Sequence, residues 1–410
     1  MKQSLCAAYA RLAVKSGVNL SEQQTLLINA DIDTVEFTRM VVEQAYEAGA
    51  REVLVTYIDS ELERCQYRYQ DEETLREVHD WQIDKQLDYL KKGACCMRII
   101  SPHPNALKDC DPKKMAIRAR AVGEASKEVQ EYTLASKVQW TIVAVPNPEW
   151  AAMVFPDQVP EKALESLWDA ILKCVYVEEG IDPLITWQQR DELFQQRIAK
   201  LNSYAFQRLH FTNSLGTDLM VGLVNRHVWG GGSEVAQNNV RFNPNIPTEE
   251  VFTAPHKDRV EGRVVASRPL IYNGNVIRNF YFTFSHGKVC EFDAEEGREV
   301  LAEMLAMDEA STALGEVALV PYDSAISQSG CLFYTTLFDE NASCHLALGS
   351  AYPACLEGGI AMSEEELKDK GINVSLIHVD FMFGTADMDV KGESASGTWV
   401  PIFQNGNFVL

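Results

Sequence analysis

The first half of the chain alternates between short apolar runs and longer segments with helical spacing. TLLINA (25–30) reads as a buried strand. VEFTRMVVEQAYEAGA (35–50) places apolar residues at helical intervals and stops at a glycine. REVLVTYID (51–59) is the next strand. That βαβ pattern predicts a parallel sheet. SELERCQYRY and EETLREVHDWQIDKQLDYLKKG continue as helical stretches, CCMRIISP as a strand, AIRARAVGEASKEVQEYTLAS as an amphipathic run, and VQWTIVAVP (138–146) as a further buried strand. EKALESLWDAILKC (161–174) and the polar WQQRDELFQQRIAKLNSY (187–204) predict two more helices, the second leading into another domain.

The texture changes near residue 205. RLHFTNSLGTDLMVGLV predicts a hairpin turning over 214–217. VEGRVVASRPLIYNGNVIRNFYFTFSHGKVCEFDA is strand after strand, with Asn273-Gly274 and His286-Gly287 as turns. EEGREVLAEMLAMDEA predicts a helix ending before Gly315. The expected fold is an α/β N-terminal domain with a mostly parallel sheet (1–204), followed by a β-rich α+β domain (205–410). Length alone suggests two or three domains.

Composition narrows the function classes. The net charge of −22 opposes nucleic-acid or anionic-membrane binding, which need a basic footprint. No apolar run reaches the length of a spanning helix, and the amphipathic start carries Arg11 and Lys15 where an export signal would be apolar. A cytoplasmic location is expected. Ten irregularly spaced cysteines without a C-x-x-C read as reduced thiols rather than a thiolate zinc site. Cys344, next to His345, would point to the opposite face of a strand and is not a nucleophile candidate. No glycine-rich phosphate loop follows an early strand, so the α/β pattern carries no nucleotide site.

Candidate chemistry gathers in the second half. His378 and Asp380 stand two apart in SLIHVDFMFG, so on a strand they face one side and can converge on one ion. Glu316 is the lone acid of the apolar LGEVALV, and a buried, unpaired carboxylate is costly. His345 lies in CHLALGSAYP just before a glycine turn. Glu249 and Glu250 are neighbours, so only one of them can point inward, and the pattern leaves open which. Tyr352 follows His345 by seven positions and can donate a hydrogen bond to an oxyanion. Three carboxylates and two imidazoles suffice for two divalent ions if one carboxylate bridges and water completes the shells. Such an open pair is hydrolytic equipment. His256 is a weaker candidate ligand. His79, His103, His210, His227 and His286 have no acidic company in the sequence pattern and read as structural or surface residues.

NIPTEEVFTAPHKDRVEG, LGEVALV, NASCHLALGSAYP and GINVSLIHVDFMFG together resemble the thermophilic aminopeptidase family of metallopeptidases. The last two stretches are long and specific. The resemblance extends over the whole chain, because the family also begins with an α/β domain and an opening like ARLAVKSGVNL. It implies a dinuclear exopeptidase acting on peptides with a free N-terminus. Its metal ligands match Glu250, Glu316, His345, His378 and Asp380, which selects Glu250 over Glu249, and its active-site tyrosine matches Tyr352. It also implies homodimers with enclosed sites and two divalent ions per chain. Their identity varies among zinc, cobalt and magnesium, and the donor set suits manganese as well. One rival uses only His345, His378 and Asp380, as a mononuclear iron(II) site of a ring-cleaving dioxygenase. The roles of Glu250 and Glu316 separate the two readings.

Overall fold

A computed structural model describes residues 3–103, 106–272 and 275–410. The chain forms two compact units, Met1–Gln189 with Ser233–Pro247, and Arg190–Gly232 with Thr248–Leu410. The sequence pattern suggests one boundary at 204/205. In the structure, 190–204 belongs to the second unit and Ser233–Pro247 returns to the first.

The first unit is an α/β layer. Strands β1 (Thr25–Asp31), β2 (Glu52–Ile58), β3 (Cys95–Ile100) and β4 (Trp140–Ala144) run parallel in the order β2-β1-β3-β4. A short strand, Asn245–Ile246, adds in parallel to β4. Leu26, Ile28 and Ala30 of β1 point inward at every second position, as a pleated strand requires. Helix Val35–Glu47 buries Phe37, Val41 and Ala45 at four-residue spacing. The run expected as one amphipathic helix breaks into Pro112–Ala125 and Lys127–Leu134, and the first of these has no buried residue.

The second unit is antiparallel. Its strands are β5 (Arg208–Thr212), β6 (Asp218–Leu223), β7 (Val251–Thr253), β8 (Pro255–Val265), β9 (Leu270–Tyr272), β10 (Asn275–Ser285), β11 (Lys288–Glu296), β12 (Leu314–Leu319), β13 (His345–Gly349), β14 (His378–Met382), β15 (Asp389–Glu393) and β16 (Trp399–Gln404). The larger sheet has the order β9-β10-β8-β6-β5-β15-β16, with β11 paired to β10. The smaller has the order β14-β13-β12-β7, with the short strand Gly230–Gly231 paired to the outer side of β7. The His286-Gly287 turn joins β10 to β11 with both residues at positive φ, a backbone suited to a tight hairpin. The expected Asn273-Gly274 turn lies outside the described residues.

Phenylalanines pack the core of this unit. Phe381 of β14 lies 5.1 Å from Phe282 and 6.0 Å from Phe280, both on β10 and both edge-on. Each buried ring contributes about 1.5–3 kcal/mol of apolar transfer. Phe381 thus faces the core from β14, and alternation directs its neighbours at 378 and 380 the other way.

Candidate metal centre

Three adjacent strands of the smaller sheet carry four of the candidate donors. Glu316 lies on β12, His345 opens β13, and His378 and Asp380 lie on β14. The register pairs Ala318 with His345, Ala347 with Asp380, and Gly349 with His378. Glu250, just before β7, supplies the fifth.

Two glycines let the strands close on this geometry. At Gly315 an added Cβ would stand 2.3 Å from Ser350 O, beside the irregularity in the β12–β13 ladder that sets Glu316. Gly349 has φ +105°, and its Cβ would stand 2.1 Å from Ile377 O. A side chain there would push away the residue preceding His378.

Glu316 stands between the two imidazoles. Its Oε1 is 3.5 Å from His345 Nε2, and its Oε2 is 3.6 Å from His378 Nε2. His345 Nε2 is also 3.0 Å from Glu250 Oε2, and His378 Nε2 is 3.4 Å from Asp380 Oδ1. The donors form two groups, Glu250–Glu316–His345 and Glu316–His378–Asp380, and within each the ligand atoms lie within 4.8 Å of one another. Glu316 belongs to both.

The far side of each ring is held by the backbone. His378 Nδ1 is 2.7 Å from Ser350 O, and His345 Nδ1 is 3.3 Å from Ser343 O. With the proton on Nδ1, Nε2 is left as a lone pair aimed at the carboxylates, as in metal-binding histidines. Glu250 Oε2 and Asp380 Oδ1 are buried without a hydrogen-bond partner. Their close histidine contacts are therefore proximity without bonding alignment. Hard oxygen and imidazole donors crowded yet unbonded are the arrangement a divalent cation satisfies.

Electrostatics agree. Burial, then the charges of Glu250 and Asp380, push Glu316 up to about 7 against the contrary pull of His345. For His378, burial disfavours the charge, but the proximity and negative charge of Asp380 prevail and raise it to about 9. His345 is likewise raised well above the usual value, because Glu250 and Glu316 outweigh its burial. Burial also opposes charge on Asp380, and the two histidines nevertheless hold it below its ordinary value. Acid and imidazole thus stabilise each other's charges, a role a cation can take over as it displaces the histidine protons.

Glu249 and Glu250 are both buried but diverge. Glu249 is bonded to Arg190 at 2.7 Å, and its N–H donates to Asn341 Oδ1, while Glu250 faces His345. Tyr352 stacks obliquely 5.0 Å from the His378 ring and 5.9 Å from Phe252. It is 42% exposed, yet burial around the phenol and the fields of Glu316 and Asp380 raise its pKa, so it remains a donor. His256 is outside both groups and accepts from Asp258 N–H through Nδ1. Cys344 turns its Sγ to Val320, away from the donors. His103 and His210 do have acidic company in space. His103 lies 2.7 Å from Asp33 and 2.9 Å from Glu149, and His210 lies 2.7 Å from Asp218.

Sequence reasoning missed Glu340. It sits on a 3-10 turn, Glu340–Ala342, and feels Glu250, Asp380, His345 and Glu316. Burial, then Glu250 and Asp380, push its pKa well up. The run DENAS looks like a polar loop, so no periodicity marked it. A cavity of about 220 Å³ reaches Glu340 and Asp380. A larger one, about 620 Å³, is lined by none of the five donors, so donor chemistry rather than cavity size locates the site.

Comparison with known proteins agrees with a metal-dependent hydrolase, of the metalloprotease class. The chain belongs to the thermophilic metalloprotease family (M29), whose model matches residues 2–408. It is 43% identical to aminopeptidase AmpS of Bacillus subtilis, over 98% of both chains. It is 42% identical to aminopeptidase 2 of Geobacillus stearothermophilus, over 98% of this chain and 97% of that one. The solved structure of wild-type AmpT from Thermus thermophilus superimposes with a TM-score of 0.94 at 38% identity, covering all of both chains. A 2,5-dihydroxypyridine dioxygenase from Pseudomonas putida KT2440 shares the fold, with a TM-score of 0.55 at 12% identity, covering 100% of this chain and 98% of that one. That likeness is one of fold alone.

Proposed function

We propose that two-ion hydrolysis is the chemistry of this site: the chain is a metal-dependent aminopeptidase that releases N-terminal residues from peptides with a free N-terminus. The observation that carries this reading is the shared Glu316, one oxygen toward each histidine. A mononuclear site needs no such bridge. His345 also falls in a different donor group from His378 and Asp380, which disfavours the iron(II) dioxygenase reading. The relatives named aminopeptidases support the substrate class.

Glu250, Glu316 and His345 would hold one ion. Glu316, His378 and Asp380 would hold the other. Divalent ions such as zinc, cobalt, manganese or magnesium supply a lowered water pKa and a polarised scissile carbonyl. Glu316 serves as the shared ligand or as the acid that accepts and returns the water's proton, and Glu340 lies within its electrostatic reach. Tyr352, protonated at neutral pH, donates to the developing oxyanion or completes the ligand shell. The surplus of carboxylates draws the peptide's α-amine and selects chain ends. The second compact unit is the catalytic one. A cytoplasmic location suits the acidic charge, and a homodimer is what the family resemblance implies.

The test couples metal analysis to a panel of aminoacyl arylamides. Two divalent ions per chain are expected, with hydrolysis lost to chelator and restored by an added ion. One iron per chain, or no release from any unblocked substrate, overturns the reading.

A further inference from the structure

The geometry points to the cavity beside Glu340 and Asp380 as the pocket for the side chain of the substrate's N-terminal residue, shaped for a small or medium apolar side chain and closed to acidic ones. This inference rests on the aminopeptidase reading above and adds its substrate preference.

Size comes first. A water occupies about 30 Å³ in the liquid, so the cavity's volume of about 220 Å³ holds about seven heavy atoms. That accommodates one side chain and not a dipeptide. Position comes second. Glu340 and Asp380 are the only two lining residues that also belong to the acidic surround of the donors. Those carboxylates attract the α-amine, and the N-terminal side chain springs from the carbon that bears that amine. An amine held at this edge sends its own side chain, rather than the next residue's, into the cavity.

The lining sets the chemistry. One wall is Pro269, Leu270 and Ile271, at the start of β9, and Met382 of β14 adds a thioether. A further part of the lining is Tyr334 and Thr335 in a loop and Thr336 at the start of the helix Thr336–Asp339. Among the described residues, no lysine, arginine or histidine lines the cavity, while three acids do. The lining itself offers an aspartyl or glutamyl side chain no cationic side chain to pair with. The loop wall is anchored. Asp339 accepts from Phe333 N–H at 2.7 Å and from Thr335 N–H at 3.1 Å. Between them Tyr334 has φ +58°, a conformation that a bulky residue keeps only when its surroundings hold it. Asp339 is thus a positioning residue for this wall.

Ile271, half-buried in the apolar wall, is the position to vary. Two readouts are taken on the metal-loaded full chain. One is calorimetric binding of free leucine, alanine and aspartate. The other is kcat/KM on the matching aminoacyl arylamides. Wild type is expected to favour leucine over alanine by about tenfold or more and to bind aspartate poorly. Ile271→Phe fills the cavity, so the leucine-to-alanine ratio falls toward unity while alanine is little changed. Ile271→Ala enlarges it, so phenylalanine gains relative to leucine, and this variant decides if the first does not fold. An unchanged ratio in both variants, or aspartate bound as well as leucine, overturns the pocket. Failure of wild type to hydrolyse any unblocked arylamide overturns the aminopeptidase reading instead. A leucine-to-alanine binding ratio that still answers to Ile271 would then uphold the pocket without it.

Discussion

At the scale of single residues, Glu316 has the most demanding place in the molecule. It is almost fully buried, lies between two imidazoles, and is pushed up to about 7 when only protein surrounds it. Glu316→Gln keeps the shape and removes the charge. Loss of an outer-shell partner already costs metal sites about 10–100-fold, so removing a shared ligand is expected to lower turnover by at least about 100-fold. Steady-state kinetics with metal analysis checks this, and full turnover with two ions bound would remove the assigned role. His103 offers a second test. Burial opposes its charge, but Glu149 and Asp33 outweigh burial and raise its pKa. A raised histidine pKa stabilises the fold fully below the unfolded value of about 6.5, and that contribution is lost as pH rises through the folded value. His103→Gln should therefore cost about 1 kcal/mol at mildly acidic pH, with the gap closing as pH rises. Urea titrations at several pH values measure it, and a gap that widens with pH contradicts the assignment. The sequence marks Glu316 because one acid stands in an apolar strand. It hides Glu340, because a residue on a turn in a polar run has no period to betray its link to the donors.

At the scale of elements, the three strands β12, β13 and β14 convert distance along the chain into proximity. Their apolar character is legible, and alternation correctly puts His378 and Asp380 on one face. Alternation fails at Glu249 and Glu250, since both are buried, one toward Arg190 and one toward His345. Only the tertiary partners distinguish them. The strand contacts also depend on backbone that no pattern of polarity reveals, as at Gly349. Gly349→Ala puts a methyl group against Ile377 O, just before the neighbouring strand, and imposes an unfavourable φ. A loss of about 1–3 kcal/mol is expected, together with weaker metal binding because His378 moves. Chemical denaturation and metal titration report the two effects separately. Wild-type values in both would mean that the strands tolerate a side chain there.

At the scale of the whole molecule, both compact units are packed by apolar side chains, and the second in addition encloses several acids around two histidines. A cation bound by the native state alone stabilises it by about 2.7 kcal/mol at a hundredfold excess over its Kd. Removing metal should therefore lower the melting temperature, and hydrogen exchange should speed up in β12–β14 with little change in β1–β4. Equal acceleration in both units would contradict a site confined to the second. The alternating first half and strand-rich second half are visible in the sequence. The return of Ser233–Pro247 to the first unit is not, because a two-residue strand pairing with β4 leaves no compositional trace.

The order of the donors along the chain has a consequence for a cell that makes the protein. Glu250 is synthesised first and Asp380 last, and chains emerge from the ribosome N-terminal end first. For most of its synthesis the chain lacks β14, so the second group of donors cannot assemble. A chain broken off before that strand carries a peptidase sequence without a peptidase site.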